Sequence, residues 1–107
     1  MKIEVFYVPE CPHHPSAVNQ LRHVLSAEGV HTEISEVAVM DAKTAKEYGF
    51  RGSPTIRING RDIAGESHSP LSFALACRIY PGAKEPGVPP LEMMQRAVRD
   101  ARDGEKV

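Results

Sequence analysis

Val8-Pro9-Glu10-Cys11-Pro12-His13-His14-Pro15 is the stretch on which the fold turns. Ahead of it, Lys2 to Val8 is rich in β-branched and aromatic residues and reads as a strand in a largely buried sheet. Prolines at 9, 12 and 15 forbid that strand from continuing, and Pro15 suits the first position of a helix. Beyond it Val18, Leu21, Val24 and Leu25 recur at helical spacing until Gly29, a C-terminal stop. A cysteine therefore occupies the turn between a strand and a helix.

Further outward, Thr32 to Met40 alternates Ile34, Val37 and Val39 with polar residues and reads as a second strand, closing a right-handed βαβ unit. Asp41 can cap a short helix that runs through Tyr48 and closes at Gly49. Pro54 to Asn59 and Arg61 to Ala64 flank Asn59-Gly60, a strong hairpin signal, which makes these two strands antiparallel neighbours. Residues 65–70 read as a polar loop. Ser69-Pro70 can start a short helix carrying Leu71, Phe73, Leu75 and Cys77, broken by Pro81-Gly82. A Pro- and Gly-rich surface connection follows, and a last helix begins near Pro90, with Leu91, Met94, Val98 and Ala101 on one face. The class is α/β, with a mixed four-stranded sheet and helices on both faces. The expected organisation is one domain over residues 1–107: a core at 1–64, a loop and short helix at 65–88, and a C-terminal helix at 89–104.

Composition narrows the functions open to such a chain. Its 107 residues are 41% hydrophobic and 25% charged with a formal net charge of −1, so it reads as globular and has no broad field to recruit nucleic acid or an anionic membrane surface. No apolar run approaches the roughly 20 residues a membrane helix needs, and the first residues lack a signal-peptide pattern, so a cytoplasmic setting is expected. There is no Gly-rich phosphate loop, no Ser-His-Asp spacing and no basic-aromatic interleaving. No cofactor is expected. Two cysteines, Cys11 and Cys77, in a reducing compartment favour redox, catalytic or metal chemistry over a structural staple, although a free cysteine also serves as a small buried hydrophobe.

The order βαβ, helix, hairpin, helix, with Cys11-Pro12 after the first strand and Ser53-Pro54-Thr55 opening the third, resembles the thioredoxin-like superfamily over roughly residues 1–64. With Gly52-Ser53-Pro54-Thr55 and Asn59-Gly60-Arg61-Asp62 it looks like the small bacterial thioredoxin-like or glutaredoxin-like proteins, and Cys77-Arg78-Ile79-Tyr80 followed by Pro89-Pro90 extends the likeness. The resemblance implies a thioredoxin-like fold and a cis bond at Ser53-Pro54. That proline would face the reactive cysteine, expose backbone groups to an extended substrate and block adventitious metal capture. It also implies thiol-disulfide chemistry at Cys11, with Pro12, Ser53, Pro54, Thr55 and Arg51 lining the substrate site.

Elementary chemistry agrees, because a thiol near a helix N-terminus is favoured as the thiolate, which is both nucleophile and metal ligand. His13 and His14 can supply positive charge or move protons near neutral pH. The departure from the family pattern is sharp: the dithiol motif is Cys-x-x-Cys, and His14 stands where the second thiol belongs. Three routes stay open, namely a monothiol reaction resolved by a low-molecular-weight thiol, a long-range pair with Cys77, or no redox turnover. Cys77 also reads, and more readily, as a core residue sharing a helix face with Phe73. Expected partners are a disulfide, a glutathione-type thiol substrate or a partner protein, with no nucleic acid and no membrane. The alternative is a module binding a soft metal or an organomercurial through Cys11, His13 and His14, joined by His68 and Cys77, or a non-catalytic interaction protein. Cys-x-His-His matches no closed zinc pattern, so no metal site is assigned. Arg51 can approach the thiolate or lie at the surface, His23 and His31 read as solvated, and Met93-Met94 as core filling.

Overall fold

The central strand is β1 (Ile3–Tyr7), and its alternation decides which face each layer covers. The structure is a computed structural model, and it describes residues 1–50, 52–64, 80, 85 and 87–105. In chain order follow α1 (His14–Ala27), β2 (Ile34–Ala38), α2 (Ala42–Tyr48), β3 (Thr55–Ile58), β4 (Arg61–Asp62) and α3 (Leu91–Glu105). The sheet order is β2-β1-β3-β4. β1 pairs parallel with β2, placing Val5 opposite Glu36, and antiparallel with β3, placing Phe6 opposite Thr55. The result is an α/β fold with a four-stranded mixed sheet. The helix expected near residues 70–80 falls outside the described residues.

Successive residues of β1 point to opposite sides, so Ile3 and Val5 pack with Ala17, Val18, Leu21, Val24 and Leu25 of α1 and with Met94 and Val98 of α3. Phe6 faces the other way and joins Val39, Ala45 and Phe50 beneath α2. Asp41 caps α2, accepting from the Thr44 N–H at 2.7 Å, and Gly49 closes it at φ 63°, a left-handed conformation that costs glycine little. Asn59 and Gly60 both have positive φ, 54° and 82°, as a two-residue primed turn requires. The Lys2 N–H donates to Asn59 Oδ1, and the Asn59 N–H donates to the Lys2 carbonyl, so the turn is tied to the start of β1.

Element ends differ from the sequence expectation for local reasons. α1 begins at His14 rather than Pro15, because a proline anywhere in the first turn removes only an N–H that has no helical partner. β4 stops at Asp62 instead of reaching Ala64, because the Asp62 carboxylate accepts from the Ala64 N–H at 2.9 Å and turns the chain. β2 keeps only its middle, Ile34–Ala38, of the expected Thr32 to Met40, and those five residues are the ones that pair with β1.

Glu28 sits at the C-terminal end of α1, where the helix dipole disfavours an anion. α3 supplies the remedy. Arg99 and Arg102 reach its carboxylate at 3.0 and 2.9 Å, and Arg102 also donates to the Glu28 carbonyl. The hydrogen bond from Arg99 is the first cause holding the Glu28 carboxyl below its usual value of 4.5, with Arg102 adding to it. A carboxyl so lowered stabilises the folded state above its unfolded pKa, and that contribution is lost as pH falls through the folded one. Urea denaturation of Glu28→Gln should therefore show reduced stability at neutral pH, and the gap from the parent should close as pH drops below 4.5. High salt should narrow the gap at neutral pH, because these charges border solvent.

Candidate functional site

The end of β1 and the start of β3 meet at one residue. Ser53 is fully buried, and its Oγ accepts from the Val8 N–H at 3.0 Å, just where Pro9 ends strand pairing. The chain then makes a tight turn, in which the Cys11 N–H donates to the Val8 carbonyl at 2.9 Å. That turn sends the Cys11 side chain back toward the same residue, and Sγ lies 3.6 Å from the Ser53 carbonyl oxygen. Cys11 is 7% exposed, and the Ser53–Pro54 peptide bond is cis. Thr55 Oγ1 donates to the Gly52 carbonyl at 2.6 Å, fastening the other side of Pro54. The fold thus brings together Cys11, Ser53, Pro54 and Thr55, with Pro12 exposed beside them.

The two histidines are spent differently. His13 is the N-cap residue of α1 and makes no side-chain cap; its Nδ1 lies 2.7 Å from Glu85 Oε2. His14 stacks flat on Tyr7, with ring centroids 3.8 Å apart and planes within 4°, and its Nε2 lies 2.7 Å from Glu36 Oε1. Glu36 projects from the α1 face of edge strand β2, where Arg22 also approaches it at 3.9 Å. Among the described residues neither imidazole bonds the sulfur directly. His14, at the position of a resolving thiol, links α1 to Tyr7 of β1 and Glu36 of β2 through these contacts.

Two residues at the site were not singled out by sequence reasoning. Tyr80, almost fully buried, donates its hydroxyl to the Pro54 carbonyl, and Glu85 holds His13. Both are far along the chain from their partners, and only the Cys-Arg-Ile-Tyr segment hinted at the first. Cys77, Arg51 and His68 lie outside the described residues. Among the described residues no group of three or more His, Cys, Asp or Glu side chains is arranged to hold a metal ion. His23 and His31 are exposed, Met94 is buried in the core, and Met93 is half-buried. No helix of the described residues is long and apolar enough to cross a membrane.

A sheet of this order, with a thiol in the first strand-to-helix turn and a proline opening the third strand, defines a thioredoxin-like protein. The model of the thioredoxin domain family matches residues 1–66, and the chain belongs to that family, whose common role is thiol redox chemistry. It is similar to a thioredoxin of Methanocaldococcus jannaschii, 39% identical over 61 residues that make up 56% of this chain and 72% of the relative. It is also similar to a probable thioredoxin of Methanothermobacter thermautotrophicus, 34% identical over 78 residues, or 70% of this chain and 92% of the relative. A probable thioredoxin of Methanothermobacter marburgensis is 34% identical over 61 residues, 56% of this chain and 72% of that protein. These relatives are archaeal, so the bacterial, glutaredoxin-like subgroup rests on the sequence motifs alone.

Beyond the last ladder pair of β1 and β3, Ser53 adds a side-chain link between the two strand ends. Ser53→Ala leaves the half-buried Val8 N–H without its side-chain partner, and thermal or urea denaturation should show a loss of about 1 kcal/mol. A change near zero would mean that the Oγ contact is dispensable.

Proposed function

We propose that the protein is a thiol-disulfide oxidoreductase with Cys11 as its nucleophile. The observation that carries this reading is the placement of Sγ 3.6 Å from the Ser53 carbonyl, directly before Pro54. An extended polypeptide lying along Pro54 would bring its disulfide to that sulfur. The Cys11 thiolate attacks one sulfur of the substrate, the substrate S–S bond breaks, and a mixed disulfide Cys11–S–S–R forms as the second sulfur leaves as a thiolate. That leaving thiolate takes a proton from a neighbouring acid, for which His13 is better disposed than His14, whose ring face and Nε2 are already engaged.

With His14 in place of a second local thiol, the mixed disulfide must be resolved from elsewhere. Either Cys77 attacks, giving an intramolecular disulfide and releasing R–SH, or a low-molecular-weight thiol of the glutathione type does so. The names of the relatives favour protein disulfides as substrates. A cytoplasmic setting would supply the reducing thiol. We take residues 1–107 as one domain, since Tyr80, Glu85 and α3 all pack back on the part matched by the family model.

Cys11→Ser should abolish reduction of small and glutathionylated disulfides in a coupled assay, while Cys77→Ser separates the resolving routes. Activity surviving Cys11→Ser would end this reading. Stoichiometric capture of mercury(II) or copper(I), lost in Cys11→Ser without any disulfide turnover, would establish a soft-metal binder instead.

A further inference from the structure

His13 is gripped on two sides by a segment beyond residues 1–66. Glu85 Oε2 lies 2.7 Å from Nδ1, and a Cβ built on Gly87 would overlap Cβ, Cγ and Cδ2 of His13, so only glycine lets the backbone lie against that imidazole. The Val88 N–H donates to the Glu85 carbonyl at 2.9 Å, and Val88 is anchored in the core with Met94 and Val98. The grip is therefore tied to the hydrophobic interior.

An ionised carboxylate can only accept hydrogen bonds, so Nδ1 must carry the proton in this contact. That leaves Nε2 as the nitrogen able to gain or lose a proton, and among the described residues it has no partner. In disulfide exchange the attacked and leaving sulfurs lie beyond Cys11 Sγ, the leaving one roughly 4 Å away at two sulfur–sulfur bond lengths. An acid serving the leaving sulfur must accordingly stand off from Sγ, and among the described residues Sγ and the His13 ring have different hydrogen-bond partners, the Ser53 carbonyl and Glu85. We propose that Glu85 is a positioning residue that fixes the His13 tautomer, so that Nε2–H of the charged imidazole protonates the departing thiolate. Resting on the reading of Cys11 as nucleophile, this makes alkyl disulfides, whose leaving thiolates are strongly basic, the substrates that gain most. The exchange balances: Cys11–S⁻, R–S–S–R′ and imidazolium give Cys11–S–S–R, R′–SH and neutral imidazole.

The test uses the full reduced chain carrying Cys77→Ser, reacted in single turnover with an alkyl disulfide and with an aryl disulfide that releases thionitrobenzoate, a leaving group that needs little protonation. The ratio of aryl to alkyl rates should rise about tenfold in Glu85→Ala and about 100-fold in His13→Gln, the scale of general acid catalysis. Glu85→Gln, which keeps an oxygen acceptor, should restore most of the ratio. Long-range proton–nitrogen NMR of the unsubstituted chain should show neutral His13 protonated on Nδ1, which keeps the idea testable should Glu85→Ala fail to fold. Protonation on Nε2, or an unchanged ratio in His13→Gln, would overturn it. A thiol at Cys11 inert to both disulfides would instead overturn the reading of Cys11 itself.

Discussion

The cysteine turn and the third strand are joined through Ser53. Its hydroxyl accepts from the last N–H of the β1 end, its carbonyl faces the Cys11 sulfur, and its peptide bond leads into Pro54. One buried residue, 45 positions from Val8 and 42 from Cys11, thus closes the sheet and sets the environment of the thiol. The parallel βαβ unit delivers the cysteine turn, and the antiparallel return of β3 delivers Ser53. Neither half holds a site without the other.

A second set of contacts brings the C-terminal part back onto the core. Tyr80 reaches the Pro54 carbonyl, Glu85 and Gly87 enclose His13, and Arg99 and Arg102 bind the end of α1 at Glu28. These contacts attach at three different points of the family-matched core. A buried carbonyl, a histidine edge and a helix terminus each receive the partner their chemistry demands. Tyr80, Glu85, Gly87 and α3 therefore attach to a thioredoxin-domain core in which His14 stands three residues after Cys11.

Much of the core could be read from the sequence because its signals are local. Asp41 and Gly49 bracket α2 by capping chemistry, Asn59-Gly60 forces a primed turn, and the prolines at 9, 12 and 15 punctuate the cysteine turn within a few residues. The placement of Cys11 against Ser53-Pro54 followed from the resemblance rather than from periodicity. What stayed hidden depends on distance along the chain: Glu85 bonds a residue 72 positions earlier, and Arg102 one 74 positions earlier. A surface-type Glu, Arg or Tyr carries no periodicity that names its partner. His14 is the instructive case, since its spacing from Cys11 carried no hint of its contacts with the aromatic ring of Tyr7 and the carboxylate of Glu36.

The proposed chemistry begins at a single sulfur. The most direct measurement is peptide-mapped mass spectrometry of the reduced chain after a brief reaction with limiting peptide disulfide, quenched with acid. The mixed disulfide should be found on Cys11 at the earliest times, with any bond to Cys77 or any release of peptide thiol appearing only later. An adduct that forms first on Cys77, or none on Cys11, would contradict it.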